Sequence, residues 1–409
     1  MEESDSFKNI VDKLGAARKK ICVLCLGCPE SHIDSARVQV FLKRNGCIIT
    51  ENLKEADLIF FRTCGFTKLS ELEVLEAIRH IKSKMQRDAI LIPWGCLPKI
   101  NPNALNHNYI TLSEEDVWKL NKLLAVKEPT ENVNANFLLP KHEKNSKIRR
   151  VIDFPRNLLW PFERNHPIVN TSKYGLPYFI KASTGCYGGC TYCAIRLSRG
   201  KTKSKRIEEV ASEFNRGLKL GFKDFRLVGT DLGAYGRDRG CTLVDLLNII
   251  TEEEGKYVLS LRNVNPYWLI EMYNEMKPIL SSGKIRYIAS SVELGSNRIL
   301  KIMGRRYTIE EYVPIIQTLN KNYPNILLGT QFMVGFPSES EQDHHQSEEV
   351  LKKALFDSIE VYRFSRRLGT LAAKMDLQIQ ENIKTSRYIR LLVMSLLNIF
   401  RRKFTRLYS

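Results

Sequence analysis

The chain has 409 residues, and its 63 lysines and arginines against 45 aspartates and glutamates give a formal net charge of +18. With 43% hydrophobic and 26% charged residues it has the composition of a folded protein, and its length predicts two or three domains. No window approaches about 18 uninterrupted apolar residues, and no secretory signal opens the chain. We therefore expect a cytoplasmic protein without a membrane span. The positive charge favours an acidic partner such as nucleic acid.

The N-terminal region, 1–126, alternates strand and helix signals and predicts an open α/β domain. Short apolar runs predict strands at 21–27, 57–62 and 89–94, and helical spacing of apolar residues predicts helices at 34–46 and 69–85. Each predicted strand runs into a cysteine. Because ligands collect at the carboxyl ends of parallel strands, we expect these three cysteines to lie close together. They are Cys28, Cys64 and Cys96, the N-terminal cysteines.

A Pro-, Asn- and Lys-rich stretch at 127–176 predicts a linker, and the alternation of elements resumes over 177–375. There, six strand candidates separated by helical patterns predict a parallel sheet curved into a partial (β/α)6 barrel, with function at the strand carboxyl ends. The strands are predicted at 178–183, 224–229, 257–263, 286–292, 325–334 and 358–364. The remaining segment, 376–409, predicts one basic amphipathic helix.

The strongest local signal is Cys186-x3-Cys190-x2-Cys193, which follows the first predicted barrel strand. We call these residues the barrel-loop cysteines. Three thiolates this close, among glycines that let the backbone fold round a bulky group, are typical of an iron–sulfur cluster. Three ligands for four irons leave one iron open to a substrate or cosubstrate. A structural zinc site would need a fourth Cys or His nearby, and none occurs within about twenty residues after the motif.

With this motif the chain resembles the radical S-adenosylmethionine (SAM) superfamily, and nearly its whole length is similar to the methylthiotransferases. The matching stretches include LGCPESHIDSA, FRTCG, WGCLP, GTDLGAYGRDRG, LRNVNPYWL, LGSNRILKIMGRRYTIEEY, MVGFPSESEQD and SRRLGTLAAKM. The resemblance implies two [4Fe–4S] clusters, one on the barrel-loop cysteines and one on the N-terminal cysteines. It also implies two SAM molecules. One gives its methyl group to a sulfur on the N-terminal cluster, and the other yields the radical that removes a hydrogen atom, so that C–H becomes C–S–CH3.

The resemblance also implies roles for single residues. The barrel-loop cysteines and Asp231 are the expected catalytic residues, although a structural turn role suits Asp231 equally well. Tyr192 is expected to pack on the adenine of SAM, and Glu293, Ser296 and Gly335 are expected to contact SAM. Here Glu293-Leu294-Gly295-Ser296 replaces the family's usual Gln-Ser-Gly-Ser element. A flavodoxin or ferredoxin is the implied electron donor.

Three hypotheses about the overall role remain at this point. Methylthiotransferases act on a hypermodified adenosine next to the tRNA anticodon or on a side chain of a protein, and the charge favours tRNA. The chain ends where the family's TRAM β-barrel would begin, so we expect no TRAM domain. This expectation, and the LGCP-x-x-x-x-D element similar to the ribosomal-protein branch, favour a ribosomally made peptide or protein, which is the expected substrate. The third hypothesis is a non-catalytic iron–sulfur protein, which would not cleave SAM.

Other chemically capable residues are expected to be structural. Cys22 and Cys25 would point to opposite faces of one strand, so both are predicted to be small core residues, as are Cys47 and Cys241. Three histidines are predicted to be solvated, and two consecutive arginines are predicted to form an exposed basic pair. These residues are His32, His344, His345, Arg305 and Arg306.

Overall fold

The computed structural model describes residues 19–105, 109, 111, 133–139 and 175–407. The chain forms two compact units, each assembled from more than one segment. The first unit comprises Met1–Asn145, Cys193–Gly200 and Arg366–Gly369, and the second comprises Ser146–Tyr192, Lys201–Ser365 and Thr370–Ser409. Within the described ranges, every helix is too short or too polar to cross a membrane.

The first unit contains a four-stranded parallel sheet with strand order β2-β1-β3-β4. Its strands are β1 (Lys20–Cys25), β2 (Ile48–Ile49), β3 (Leu58–Thr63) and β4 (Ile90–Gly95), and its helices are α1 (Pro29–Arg44), α2 (Lys68–Lys84) and α3 (Cys96–Ile100). The three predicted strands and two predicted helices are confirmed. Helix α1 begins five residues earlier than predicted, because Pro29 occupies the first turn, where its missing N–H is not needed.

Both faces of this sheet are buried, as is usual for parallel strands covered by helices. Between sheet and helix, the Arg62 guanidinium lies 3.0 Å from the Asp34 carboxylate, and both side chains are fully buried. Cys22 and Cys25 pack against different apolar clusters, which confirms that they point to opposite faces. From the predicted linker, the short segment 133–139 contributes three side chains to the core of this unit: Val133, Ala135 and Leu139. Apart from residues 175 and 176, the rest of 127–176 lies outside the described residues.

The second unit contains a six-stranded parallel sheet whose strands neighbour one another in chain order. They are β5 (Pro177–Lys181), β8 (Asp224–Val228), β9 (Val258–Leu261), β10 (Ile285–Ala289), β11 (Leu327–Val334) and β12 (Ser358–Arg363). Two short strands, β6 (Ser183–Thr184) and β7 (Lys203–Ser204), form a separate antiparallel pair. The predicted partial barrel of six β/α units is confirmed.

Helices connect these strands and cover one side of the sheet. They are α5 (Ile207–Lys219), α6 (Leu243–Glu252), α7 (Pro266–Ser281), α8 (Asn297–Ile302), α9 (Ile309–Asn322) and α10 (Glu341–Lys353). Alternate residues of the strands, among them Leu227, Leu259 and Leu328, enter the large apolar core beneath them. The predicted C-terminal helix is α11 (Glu381–Leu407). It is anchored by Asn398, whose Oδ1 atom accepts a hydrogen bond from the Phe356 amide at 2.9 Å. The remaining helix, α4 (Ile195–Arg199), belongs to the first unit.

Candidate functional site: two groups of cysteines

The N-terminal cysteines lie at the carboxyl ends of β1, β3 and β4. Cys28 immediately precedes α1, Cys64 follows β3, and Cys96 is the first residue of α3. Burial, with smaller contributions from the neighbouring Cys96 and Cys28, raises the pKa of the Cys64 thiol to about 11. The three thiols are therefore close enough to interact electrostatically, as the sheet topology led us to expect.

A buried ion pair lies beside Cys28. The Arg199 guanidinium pairs with Glu30, and its Nη2 atom lies 3.5 Å from Cys28 Sγ and 3.5 Å from Ser31 Oγ. Only 3% of the Arg199 side chain and 6% of the Glu30 side chain are exposed. The pair thus holds a buried guanidinium against the sulfur of Cys28.

A second arginine of the first unit is anchored on α2. Arg367 lies 2.9 Å from Glu71, and both side chains are almost fully buried. Burial alone would raise the pKa of Glu71, but hydrogen bonds from Lys68, Asn101 and Arg367 hold it below its usual value. Glu71 is therefore a stable anion that fixes the position of this segment.

The loop after β5 presents Cys186 and Cys190 on either side of a glycine. The Gly188 amide donates to Cys186 Sγ at 3.3 Å. A Cβ placed on Gly188 would lie 3.4 Å from Cys186 Sγ and 3.7 Å from Cys190 Sγ, so both sulfurs approach the same stretch of bare backbone. Cys193 is half-buried and stands two residues before α4, in the segment that belongs to the first unit.

The donor chemistry of both groups suits an iron–sulfur cluster. In the described ranges, no three Cys, His, Asp or Glu side chains converge as ligands of a single metal ion. A cubane makes a different demand, because each of its irons takes one cysteine thiolate. Both cysteine groups meet that demand. The N-terminal thiols interact without converging on one point. In the barrel loop, an amide donates to a cysteine sulfur, and a glycine leaves space between two sulfurs.

Asp231 lies next to the barrel-loop cysteines. Its Oδ2 atom is 3.5 Å from Cys186 Sγ and 3.5 Å from Trp268 Nε1, and the side chain is buried. Among the described residues, its Oδ1 atom has no hydrogen-bond donor. Burial raises the pKa of this carboxyl, and the hydrogen bonds from Cys186 and Trp268 partly offset that shift. Asp231 is thus held in place by the loop and by α7, with one oxygen still able to accept a hydrogen bond.

Arg305, which the sequence analysis predicted to be exposed, is buried and joins Tyr192 to Glu293. Arg305 Nη2 donates to the Tyr192 hydroxyl at 2.5 Å, and the same guanidinium pairs with Glu293. The expectation of an exposed Arg305 is wrong, since only 8% of its side chain is exposed. Glu293 adopts a left-handed backbone conformation (φ 67°) and bridges to Phe332 on β11, which fixes the direction of its side chain.

Ser296 and Gly335 have visible structural roles. Ser296 caps α8, and its hydroxyl donates to Asp343 at 2.6 Å. Gly335 has φ 77°, and a Cβ at this position would overlap the Lys384 side chain. The expected contacts of both residues with SAM stay predictions.

Two histidine assignments are also corrected. His32 is buried in the first turn of α1, and His344 is fully buried on α10 between Glu339 and Glu348, at 3.5 Å from each carboxylate. Only His345 is exposed as predicted. For His344 the missed sequence signal is Glu348, a charged residue one helical turn away that allows the imidazole to be buried.

Arg306 is exposed, as predicted, but it belongs to an aromatic cluster. Its guanidinium lies 4.2 Å from the Tyr267 ring centroid, 5.6 Å from that of Tyr187 and 5.7 Å from that of Trp268. Arg237, also exposed, lies 5.0 Å from the Trp268 ring. We call these five residues the basic–aromatic patch. It adjoins the barrel-loop cysteines, since Tyr187 follows Cys186 in the chain.

Two family models match separate parts of the chain, and each part contains one of the two cysteine groups. Residues 20–113 match the Uncharacterized protein family UPF0004, and residues 180–351 match the radical SAM superfamily. The first match contains the N-terminal cysteines, and the second contains the barrel-loop cysteines.

Curated relatives that match most of this chain include enzymes named for three different substrates. A probable threonylcarbamoyladenosine tRNA methylthiotransferase of Pyrococcus horikoshii is 28% identical, over 87% of this chain and 79% of that protein. The ribosomal protein uS12 methylthiotransferase RimO of Acetivibrio thermocellus is 31% identical, over 90% of this chain and 80% of that protein. A tRNA-2-methylthio-N(6)-dimethylallyladenosine synthase of Alkaliphilus oremlandii is 28% identical, over 96% of this chain and 81% of that protein.

Proposed function

The chain belongs to the radical SAM methylthiotransferase family, and from this premise we propose that it methylthiolates an adenosine of tRNA. The family relies on SAM and [4Fe–4S] clusters, and the enzyme class follows from membership. The substrate is the part that we propose. Relatives act on threonylcarbamoyladenosine or dimethylallyladenosine of tRNA and on the ribosomal protein uS12, so sequence identity alone leaves both macromolecules open.

The observation that carries the proposal is the basic–aromatic patch. Sequence-specific proteins bind single-stranded RNA loops by stacking unpaired bases on aromatic rings and on arginine planes. Tyr187 is 51% exposed and follows Cys186 in the chain, so a base stacked there would lie beside the barrel-loop cysteines. The net charge of +18 supports the same partner, because each neutralised phosphate adds to the affinity. A peptide substrate, which the sequence led us to expect, stays a prediction that these contacts do not favour.

The residues take the following roles in this proposal. The barrel-loop cysteines would hold one cluster, which would act together with SAM, and the N-terminal cysteines would hold the other. When bound, these groups would supply the radical and the methylated sulfur, so that substrate C–H, sulfide and two SAM become C–S–CH3, methionine, 5′-deoxyadenosine and S-adenosylhomocysteine with no net gain or loss of electrons. We propose a flavodoxin or ferredoxin as the electron donor and the cytoplasm as the location.

The chain's own side chains orient these groups. Arg199 places its guanidinium 3.5 Å from Cys28 Sγ and pairs with Glu30 in the first turn of α1. Asp231 is buried against Cys186 and Trp268 and offers its Oδ1 atom as a fixed acceptor to SAM or substrate. Arg305 keeps Tyr192 and Glu293 together, and both are proposed to contact SAM.

The proposal is tested by expressing the protein in a host that lacks its own methylthiotransferases and analysing tRNA nucleosides by mass spectrometry. We expect a methylthio-adenosine derivative that disappears in the Cys193→Ala variant. Cys47 is half-buried and belongs to neither cysteine group, so Cys47→Ala is the matched control and should keep the product. A methylthiolated peptide or protein, without any modified nucleoside, would show that the substrate is wrong while leaving the enzyme class intact.

A further inference from the structure

The turn that follows α8 packs directly against the loop of the barrel-loop cysteines. Thr191 donates two hydrogen bonds to carbonyl groups at the end of α8, from its amide at 2.9 Å and from its hydroxyl at 3.1 Å. Gly304 has φ 75°, and a Cβ at this position would lie 3.1 Å from the Gly189 carbonyl oxygen and 3.8 Å from Cys190 Cα. Glycine permits both this conformation and this close approach. Arg305 therefore follows a turn that is fixed against Cys190.

Arg305 is a buried cation at this turn. Its guanidinium donates to the Tyr192 hydroxyl at 2.5 Å and pairs with Glu293. Burial would lower the pKa of Arg305, but Cys190, Tyr192 and Glu293 raise it well above its usual value. Burial also raises the pKa of Asp231, and Arg305 is one of the groups that oppose this shift. The charge of Arg305 is therefore close enough to act on both Cys190 and Asp231.

The surroundings of Arg305 suit a bound anion. Among the described residues, its Nε atom has no hydrogen-bond acceptor. A guanidinium is permanently charged, and burying it with an N–H unpaired is unfavourable unless a further negative group is present. A cubane held by three thiolates is such a group, because it carries a net negative charge that increases by one on reduction.

We propose that Arg305 is a positioning residue that raises the reduction potential of the cluster on the barrel-loop cysteines, and that Glu293 limits this effect by its opposite charge. In the reduction, a reductant gives one electron to the oxidised cluster and is itself oxidised, and no bond breaks. A buried cation stabilises the reduced form more than the oxidised form, since the reduced form is the more negative one. The inference requires the cluster and is independent of which macromolecule is the substrate.

The pair predicts shifts of opposite sign. In a buried site of low effective dielectric constant, one nearby charge changes an equilibrium about tenfold or more. Arg305→Met should therefore lower the equilibrium constant for reduction about tenfold, which corresponds to about 59 mV for one electron. Arg305→Lys keeps the charge and should change the constant by about twofold at most. Glu293→Gln keeps the shape of the side chain and removes the opposing charge, so it should raise the constant by about three- to tenfold.

The experiment measures the midpoint potential of this cluster by electron paramagnetic resonance during a redox titration. It uses the anaerobically reconstituted full-length protein without SAM. The signal that belongs to this cluster is the part of the spectrum that disappears when alanine replaces all three barrel-loop cysteines. The matched control is Arg216→Met, which removes an exposed arginine of α5 and should leave the potential unchanged.

The signs of the shifts separate an electrostatic role from a purely structural one. Disturbed packing would move the potentials of Arg305→Met and Glu293→Gln in the same direction, and that result would overturn the inference. An unchanged potential in Arg305→Met would also overturn it. If Arg305→Met binds no iron, Glu293→Gln decides alone: a higher potential supports the inference, and an equal or lower one overturns it. A wild-type spectrum without this signal would overturn the inference together with the assignment of the barrel-loop cysteines.

Discussion

Replacing Arg199 by methionine tests whether the buried pair beside Cys28 organises the first unit. The substitution keeps most of the side-chain volume but leaves the Glu30 carboxylate buried without its arginine. Removing one partner of a buried ion pair costs about 3 kcal/mol or more. The side chains of Arg199 and Glu30 are 3% and 6% exposed, so solvent screens little of this loss. If the first unit loses about 3 kcal/mol of stability, the amides of β1 and α1 open about 160 times more often. Their hydrogen exchange becomes faster by the same factor.

The assay is hydrogen exchange of the reconstituted protein, read by mass spectrometry on peptides that cover residues 20–44. The matched control is Arg206→Met, which removes an exposed pair with Glu209 at 3.0 Å, where 64% and 45% of the side chains are exposed. Such pairs contribute about 0.5 kcal/mol, so exchange should change about twofold at most. The double variant Arg199→Met/Glu30→Leu should approach the wild type, because an apolar pair fits a buried site. A loss under about 1 kcal/mol in Arg199→Met, or additive losses in the double variant, would refute this reasoning.

The remaining predictions concern stability and iron content. Gly335→Ala should destabilise the protein by about 2–4 kcal/mol in thermal unfolding, because its Cβ overlaps Lys384, whereas Gly221→Ala, with a similar φ of 83° and open space, should cost only about 1–2 kcal/mol. Similar losses in both would contradict the packing argument. Burial would raise the pKa of Asp343, but hydrogen bonds from Arg298, Ser296 and Ser340 hold it below its usual value. The stabilisation is therefore present above the ordinary carboxyl pKa of 3.8 and is lost as pH falls from there through the lower pKa of the folded protein, so the melting temperatures of wild type and Asp343→Asn should differ by a constant amount above about pH 5 and converge only well below pH 3.8. A difference that stays constant throughout that lower range would contradict this. Reconstituted protein should bind about eight irons, and about four after alanine replaces either cysteine group; a wild-type count of four would exclude the second cluster.

Most of the architecture was predictable because it depends on local patterns. Strand candidates such as 57–62 and 224–229 are short apolar runs bounded by helical periodicity, and they lie within one residue of β3 and β8. The N-terminal cysteines were found together because parallel topology brings strand ends to one edge of a sheet. The beginning of α1 was missed because its first turn, from Pro29, is polar and carries no apolar periodicity.

The functional sites could be predicted only where their residues lie close together in the sequence. The barrel-loop cysteines occur within eight residues, so their chemistry is visible in the sequence. Arg199 and Glu30 are separated by 169 residues, and no local pattern shows that they pair. Arg305 and His344 were expected to be exposed because their partners, Tyr192 and Glu339, become neighbours only in the folded unit.

The central claim is that the two cysteine groups divide the work, one generating the radical and one delivering the methylated sulfur. The direct measurement counts 5′-deoxyadenosine and methylthiolated RNA in the same reaction with SAM and a reductant. Alanine at all three N-terminal cysteines should preserve 5′-deoxyadenosine and abolish the methylthiolated product, Cys193→Ala should abolish both, and Cys47→Ala should preserve both. If the variant without N-terminal cysteines still forms methylthiolated product, or no longer cleaves SAM, the division of roles is contradicted.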